Sequence, residues 1–166
     1  MSRRDHDAYY TPEFATRELL QRVLIAGKAI ECCSGEHHIT RVLREQPYRV
    51  EVVTNDIDPT CEADFYLDAS KRESWQRFGR FDWCISNLPF ELAMPILKLA
   101  YEYCQNVALL LRLSFLEPTA SGTPQKRLKT GRVLSATEPR GPWLDRYPPN
   151  GQLVLPRISF TGDGGT

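Results

Sequence analysis

The 166-residue chain has no apolar run long enough for a membrane-spanning helix, and residues 1–25 are too polar and interrupted for a secretory signal. It also has no excess charge, because 21 basic and 21 acidic residues cancel. A protein that holds nucleic acid through bulk charge alone is therefore disfavoured. With a hydrophobic fraction of 42% and no internal repeat, the sequence predicts one cytoplasmic domain over residues 1–166, without membrane contact.

The chain contains five cysteines, but they do not show the paired pattern of a zinc site or of a disulfide framework. None stands in the C-x-x-C spacing of a zinc site, and an odd number does not suggest a disulfide framework. Cys32, Cys33 and Cys84 lie within apolar runs, so we interpret them as small core residues in a reducing compartment. No metal site is predicted.

Charge is unevenly distributed along the chain. Residues 1–105 contain 13 Lys and Arg against 17 Asp and Glu, whereas residues 106–166 contain 8 against 4. The two parts therefore have net charges of −4 and +4. An anionic partner for the C-terminal part and an ordinary solvated surface are both open interpretations.

Short apolar runs alternate with amphipathic stretches, the pattern of a parallel sheet covered by helices on both faces. The predicted strands are 29–33, 50–55, 63–67, 81–86 and 107–113, with a weaker strand-like pattern at 153–160. The predicted helices are 16–25, 38–46 and 92–104. Residues 117–151 are rich in Pro, Gly, Ser, Thr and basic residues, which predicts a long functional loop. The expected fold is α/β, with a doubly wound and mostly parallel sheet.

Polar residues follow each predicted strand, and ligands of open parallel sheets bind beyond the carboxyl ends of the strands. Asp56 lies 25 residues after Glu31, close to the spacing at which an acidic residue reaches ribose hydroxyls. Asp68 could accept a hydrogen bond from an adenine amino group. Capping of helix N-termini is the alternative for each of these carboxylates.

Asn87-Leu88-Pro89-Phe90 ends the apolar run 81–86 and combines hydrogen-bond acceptors with a flat aromatic surface. A planar group bearing an amine would fit there. Gly35 stands alone where a dinucleotide-binding fingerprint needs three glycines, so a Rossmann dehydrogenase is disfavoured. We interpret the adjacent His37 and His38 as the start of a helix rather than as metal ligands or a general base.

Read in order, five segments resemble the motif series of S-adenosyl-L-methionine-dependent amino methyltransferases: Tyr10-Thr11-Pro12, Glu31-Cys32-Cys33-Ser34-Gly35, Asn55-Asp56-Ile57-Asp58, Asp68-Ala69 and Asn87-Leu88-Pro89-Phe90. The series is most like that of the adenine-N6 DNA methyltransferases, including small phage-type members, over roughly residues 8–118. The resemblance implies a Rossmann-like sheet of the class I methyltransferase type, S-adenosyl-L-methionine as cofactor and adenine N6 in DNA as acceptor. Alternatives are an RNA or protein-glutamine amino group as the acceptor, or a catalytically inactive binding module.

The resemblance also implies roles for the cofactor-binding residues. Tyr10, Thr11 and Pro12 would line the methionine end of the cofactor, and Glu31, Ser34 and Gly35 would lie beneath its amino acid portion. Asp56 would hold the ribose hydroxyls, with Ile57 against the adenine ring. Asp68 would bind the adenine amino group, and Ala69 would supply a backbone contact.

For the acceptor, the resemblance implies a catalytic segment made of Asn87, Leu88, Pro89 and Phe90. Asn87, which would also border the cofactor, and the Leu88 carbonyl would accept hydrogen bonds from the target amine. Phe90 would stack on a base that is extruded from a duplex or presented by a single strand.

Three features depart from the family pattern. Leu88 stands where relatives usually have the first of two prolines, and His37 stands where they usually have a second glycine. A side chain at His37 is expected to crowd the cofactor or to reshape the turn. Phage-type relatives commonly continue into a final aromatic strand that this sequence does not show. The last strand of the sheet is therefore expected to be missing or shortened.

Basic residues of the C-terminal part are the candidate contacts to substrate phosphates. With Phe90, the predicted substrate-binding residues are Arg112, Lys126, Arg127, Lys129 and Arg132. They are candidate contacts to nucleic acid, and a solvated charged loop is the alternative. The resemblance implies that the nucleic acid is DNA rather than RNA. With no separate target-recognition domain, low sequence specificity, a homo-oligomer or a partner subunit is expected.

Overall fold

Four parallel strands form a sheet in the computed structural model, which describes residues 11–45 and 47–111 and the separate residues 149, 151, 153 and 155. The strands are β1 (Lys28–Glu31), β2 (Glu51–Thr54), β3 (Phe81–Asn87) and β4 (Cys104–Leu110). The helices are α1 (Glu13–Leu20), α2 (His38–Arg44), α3 (Arg72–Phe78) and α4 (Ala93–Tyr103). Across the sheet the strand order is β2-β1-β3-β4.

The strand order places helices on both faces of the sheet. Helix α2 connects β1 to its neighbour on one side, whereas α4 connects β3 to β4 in the opposite direction. Because such crossovers are right-handed, the two helices lie on opposite faces. The α/β, doubly wound prediction is therefore confirmed, and the order of the strands is Rossmann-like.

Apolar stripes on the helices fill the two layers. In α4 the buried residues Ala93, Ile96, Leu97 and Ala100 recur at helical spacing. One core cluster joins helix, loop and strand residues: Ile25, Ala29, Ile39, Leu43, Val50, Val52 and Ile85. Cys32 and Cys84 are fully buried as predicted, with their sulfurs 3.9 Å apart, whereas Cys33 is only partly buried.

The segment beyond β2 is not the strand predicted at residues 63–67. Within the described residues a single parallel bridge, between Asn55 and Phe65, joins it to β2. The Asp64 carboxylate accepts hydrogen bonds from the Thr54 N–H and hydroxyl at 2.8 and 2.9 Å. Because side chains take over bonds that a strand ladder would supply, the backbone leaves the β-pairing pattern.

The position of this segment still completes the expected order. When the segment at Phe65 is counted as the neighbour of β2, the order across the sheet is this segment, β2, β1, β3 and β4. This corresponds to the 3-2-1-4-5 order of a Rossmann sheet, whose ligand crevice lies where the order reverses. Here the reversal falls between β1 and β3.

Helix α3 was not predicted, and several boundaries differ from expectation. The helix predicted at 16–25 is α1 and begins at Glu13, and the strand predicted at 107–113 is β4 and begins at Cys104. Trp75 and Phe78 of α3 are buried, and Phe78 packs edge-on against Phe65 with ring centroids 5.3 Å apart. Helix α3 thereby packs against the segment beside β2.

All of these elements belong to one compact unit, and a second unit, residues 111–152, lies almost entirely outside the described residues. The predicted loop 117–151 and the pattern at 153–160 therefore stay predictions, apart from single residues. None of the helices in the described ranges combines the length and apolar character needed to cross a bilayer.

Candidate functional site

The carboxyl ends of β1, β2 and β3 lie at one edge of the sheet, because all three strands are parallel. Three segments leave the sheet there: the turn Cys32-Cys33-Ser34-Gly35-Glu36-His37, the segment Asn55-Asp56-Ile57-Asp58 and the segment Asn87-Leu88-Pro89-Phe90. The sequence predicted polar groups at this edge, and the structure places them there.

Asp56 joins two of these segments through its carboxylate. One oxygen, Oδ2, accepts the Gly35 N–H at 2.7 Å, and the other, Oδ1, accepts the Asp58 N–H at 2.9 Å. A carboxylate has about four acceptor positions, so each oxygen can accept one further donor. Ile57, directly beyond it, is 51% exposed. An acceptor for paired hydroxyls thus lies beside an exposed apolar side chain.

The turn after β1 offers both space and an unused polar group. Gly35 has a positive φ of +48°, and a Cβ added there would meet no atom within 4 Å. The Ser34 hydroxyl is buried and has no hydrogen-bond partner in the described part of the chain. Buried polar atoms are normally satisfied, so the hydroxyl and the space beside Gly35 fit a polar ligand group.

His37 adopts a left-handed backbone conformation, which favours glycine. Its φ and ψ are 64° and 25°, in the left-handed region, and the helix begins at the next residue. Its ring Nε2 contacts the Glu62 carbonyl, away from its own turn in sequence. A left-handed backbone costs a non-glycine residue about 1–2 kcal/mol. The turn therefore holds a non-glycine residue in a conformation that favours glycine, and the expected effect of His37 on a cofactor or on the shape of the turn stays a prediction.

Glu31 connects the end of β1 to helix α2. It is 2% exposed, and its Oε2 accepts the Thr40 N–H at 2.9 Å and the Thr40 hydroxyl at 2.5 Å. Burial raises the pKa of this carboxyl from 4.5 to about 8, more than the Thr40 hydrogen bonds lower it. The structure gives Glu31 this architectural role, and its contact with a cofactor stays a prediction.

The raised pKa of Glu31 predicts a pH-dependent stability. Above pH 4.5 the unfolded chain releases the proton, while the folded chain retains it to about pH 8. The free energy of unfolding should therefore fall as pH rises through this window, by at most about 1.4 kcal/mol per unit. Glu31→Gln mimics the neutral acid and can still accept both Thr40 hydrogen bonds. We expect its stability advantage over the unchanged protein to grow between pH 5 and pH 8 in urea titrations.

Glu51→Gln is the matched control for this measurement, because the Glu51 side chain is 72% exposed on the neighbouring strand. Its stability relative to the unchanged protein should be similar at the two pH values. If Glu31→Gln behaves in the same way as Glu51→Gln, burial does not control the protonation of Glu31.

Helix α3 holds Asp68 and Ala69 in place through hydrogen bonds to their backbone. The Asp68 Oδ1 accepts the Ser70 N–H and hydroxyl at 2.9 and 2.6 Å, in a turn that precedes α3. The N-cap residue of α3 is Lys71 and no side chain caps it, so Asp68 does not play the predicted capping role there. The Asp68 carbonyl accepts the Ser74 hydroxyl at 2.6 Å, and the Ala69 carbonyl accepts the Trp75 indole N–H at 2.7 Å. The backbone of this segment is thereby fastened to the buried face of α3.

Asn55 is the residue whose role the sequence did not reveal. Its side chain is fully buried, donates from Nδ2 to the Cys32 carbonyl at 2.9 Å and the Leu67 carbonyl at 3.0 Å, and accepts the Leu67 N–H at 2.9 Å. Its backbone N–H donates to the Glu31 carbonyl at 3.0 Å, and its carbonyl accepts the Ser34 N–H at 2.9 Å. The sequence signal that could have pointed to this role was a polar residue at the end of an apolar strand.

On the acceptor side, Asn87 is the last residue of β3 and pairs with Leu110 of β4. Leu88 is 2% exposed and lies in the core. The Pro89 carbonyl accepts the Leu92 N–H at 3.0 Å and leads into α4, and Phe90 is partly buried. The leucine in place of a proline therefore packs into the core beside Asn87.

The remaining predicted site residues are only partly described. Thr11 is buried and Pro12 precedes α1, where its carbonyl accepts the Ala15 N–H at 3.0 Å. The others lie outside the described residues: Tyr10, Arg112, Lys126, Arg127, Lys129 and Arg132.

No protein-family model matches the chain, and no curated protein matches it in sequence. Among solved structures, TrmN from Thermus thermophilus is similar over 55% of this chain, with a TM-score of 0.45 and 16% sequence identity. The similar part covers 35% of TrmN, so it spans about a third of that protein's length.

Proposed function

We propose that this chain is an S-adenosyl-L-methionine-dependent methyltransferase whose acceptor is an exocyclic amino group, adenine N6 in DNA being the acceptor we favour. The observation that carries the proposal is the position of Asn87-Leu88-Pro89-Phe90 at the same sheet edge as Asp56 and the Ser34-Gly35 turn. This edge has acceptors for hydroxyls and acceptors for an amine on neighbouring segments.

The cofactor half of the proposal is supported by four features of the edge. Asp56 has capacity to accept the two ribose hydroxyls, and Ile57 offers an exposed apolar surface for a purine ring. The buried Ser34 hydroxyl and the space beside Gly35 suit the polar amino acid portion of the ligand. Each group fits a different part of S-adenosyl-L-methionine.

The acceptor half depends on positioning rather than on strong acid or base chemistry. S-adenosyl-L-methionine supplies a methyl group that is already activated by its positive sulfur, so the acceptor has to be aligned and to release a proton. The Asn87 amide oxygen and the Leu88 carbonyl would accept hydrogen bonds from the amine and orient the nitrogen. Phe90 would stack on the planar group that bears it.

Two of the three departures from the family pattern, Leu88 and His37, are compatible with an active enzyme. Leu88 contributes its side chain to the core, and a leucine has the same backbone carbonyl as a proline. His37 takes the left-handed conformation that a glycine would take. At these two positions, the observations favour the enzyme over the inactive binding module.

The test is methyl transfer from isotopically labelled S-adenosyl-L-methionine to four separate acceptors: single-stranded DNA, duplex DNA, RNA and a glutamine-containing peptide. Products are hydrolysed and identified by mass spectrometry. We expect N6-methyladenine in DNA, with single-stranded DNA at least as good as duplex because no base has to be extruded. N6-methyladenine from RNA alone, or methylglutamine, would change the acceptor but keep the reaction. No product from any acceptor would contradict the proposed function.

A further inference from the structure

Asn55 contacts segments that belong to three different parts of the proposed cofactor site. It bonds the turn after β1 through Cys32 and Ser34, it precedes Asp56 directly, and it bonds both backbone groups of Leu67, which precedes Asp68. A primary amide is suited to this arrangement because it both donates and accepts, so its side chain can satisfy N–H and C=O groups together.

The geometry differs between the two sides of Asn55. Toward β1, its own backbone makes two further hydrogen bonds, to Glu31 and from Ser34, and these survive any substitution of the side chain. Toward residue 67, the side-chain amide makes both hydrogen bonds to the Leu67 backbone. Removing that amide therefore frees Leu67 from Asn55, while Asp68 and Ala69 keep their bonds to α3 and the link between β1 and β2 keeps its backbone bonds. The position of Asp68 relative to Asp56 is what loses its constraint.

We propose that Asn55 is a positioning residue that sets the distance from Asp56 to Asp68 and so confers preference for a ligand with an adenine amino group. This inference rests on the proposed function, in which Asp56 binds the ribose and Asp68 binds the amino group. Asn55 itself is too deeply buried to touch the ligand. Its influence is exerted through Leu67 on the next residue, Asp68.

The test compares two ligands by calorimetric titration: S-adenosylhomocysteine and S-inosylhomocysteine, in which a carbonyl oxygen replaces the amino group. The unchanged protein should bind the adenosyl ligand about 10- to 100-fold more tightly, because the Asp68 carboxylate accepts from an amino group and repels a carbonyl. In Asn55→Ala the preference should fall to about threefold or less, since Asp68 is no longer held at the required distance.

Val52→Ala is the matched control, because Val52 is a buried residue of β2, the strand that directly precedes Asn55, and lies outside this hydrogen-bond network. It should destabilise the protein and keep the preference for the adenosyl ligand. Asn55→Ser replaces Asn55→Ala if the alanine variant does not fold. If Asn55 only stabilises the fold, both ligands weaken by the same factor and the preference is unchanged, which overturns the inference while the proposed function stands.

A ligand-free measurement checks the same point. In Asn55→Ala, the Leu67 amide should exchange its hydrogen faster, whereas the Phe65 amide, which donates to the Thr54 carbonyl at 3.1 Å, should stay protected. Equal protection of Leu67 in both proteins overturns the inference. An unchanged protein that binds neither ligand overturns the proposed function, and the inference with it.

Discussion

Asn87→Ala should reduce the rate of methyl transfer by about 100- to 1,000-fold, the effect of removing one preorganised hydrogen-bonding group from a reacting centre. The affinity for S-adenosylhomocysteine should change by less than about threefold, because Asp56 and the turn after β1 remain. The loss is therefore expected in kcat at saturating cofactor. Single-turnover assays on adenine-containing single-stranded DNA measure it directly.

Asn106→Ala provides a chemically identical control on the adjacent strand. Asn106 is exposed and donates to the Asp82 carbonyl at 3.1 Å, toward the opposite end of the sheet from Asn87. This variant should transfer methyl groups at the rate of the unchanged protein. Equal activity of the Asn87 and Asn106 variants would place the acceptor site elsewhere in the chain.

Asp56→Ala should weaken binding of S-adenosylhomocysteine by about 100-fold. The substitution removes the proposed acceptor for two ribose hydroxyls and also the carboxylate that fixes Gly35 and Asp58 by their N–H groups. Calorimetric titration gives the dissociation constant. Unlike Asn87→Ala, this variant should recover much of its rate when the cofactor concentration is raised.

Asp82→Ala tests whether any carboxylate that binds backbone would show the same effect. Asp82 Oδ2 accepts the Lys28 N–H at 2.8 Å, and it lies near the amino end of β1. The affinity for S-adenosylhomocysteine should be unchanged in this variant. Equal weakening by the two substitutions would mean that the Asp56 effect is one of fold stability and not of ligand binding.

The sheet and its functional edge could be predicted because strand length and apolar character are local properties. The runs that became β1, β2 and β3 are short, apolar and followed by polar residues, and that pattern located Asp56 and Asn87 correctly at strand ends. Residues 63–67 show the same local pattern. They do not form a strand because Asp64 and Asn55 bind the backbone through their side chains, and such bonds depend on distant neighbours.

Helix α3 was missed because it has seven residues and only two large apolar side chains, Trp75 and Phe78. The available sequence signals were the three-residue spacing of Trp75 and Phe78, for the helix, and the following Gly79, for its end. In the structure Gly79 has a φ of +88°. Conformation at His37 and burial at Leu88 could not be predicted either. Both depend on which space the folded chain leaves open, and a residue type does not determine that.

Burial of Leu88 affects how the acceptor segment can move. A loop anchored by a side chain that is 2% exposed in the core cannot open without exposing apolar surface, which costs about 1.5–3 kcal/mol for a leucine. Asn87, the last residue of β3, is consequently held next to a buried anchor. Under the proposed function, substrate would therefore adapt to a fixed pair of acceptors, and core substitutions that shift Leu88 would alter turnover without touching the ligand.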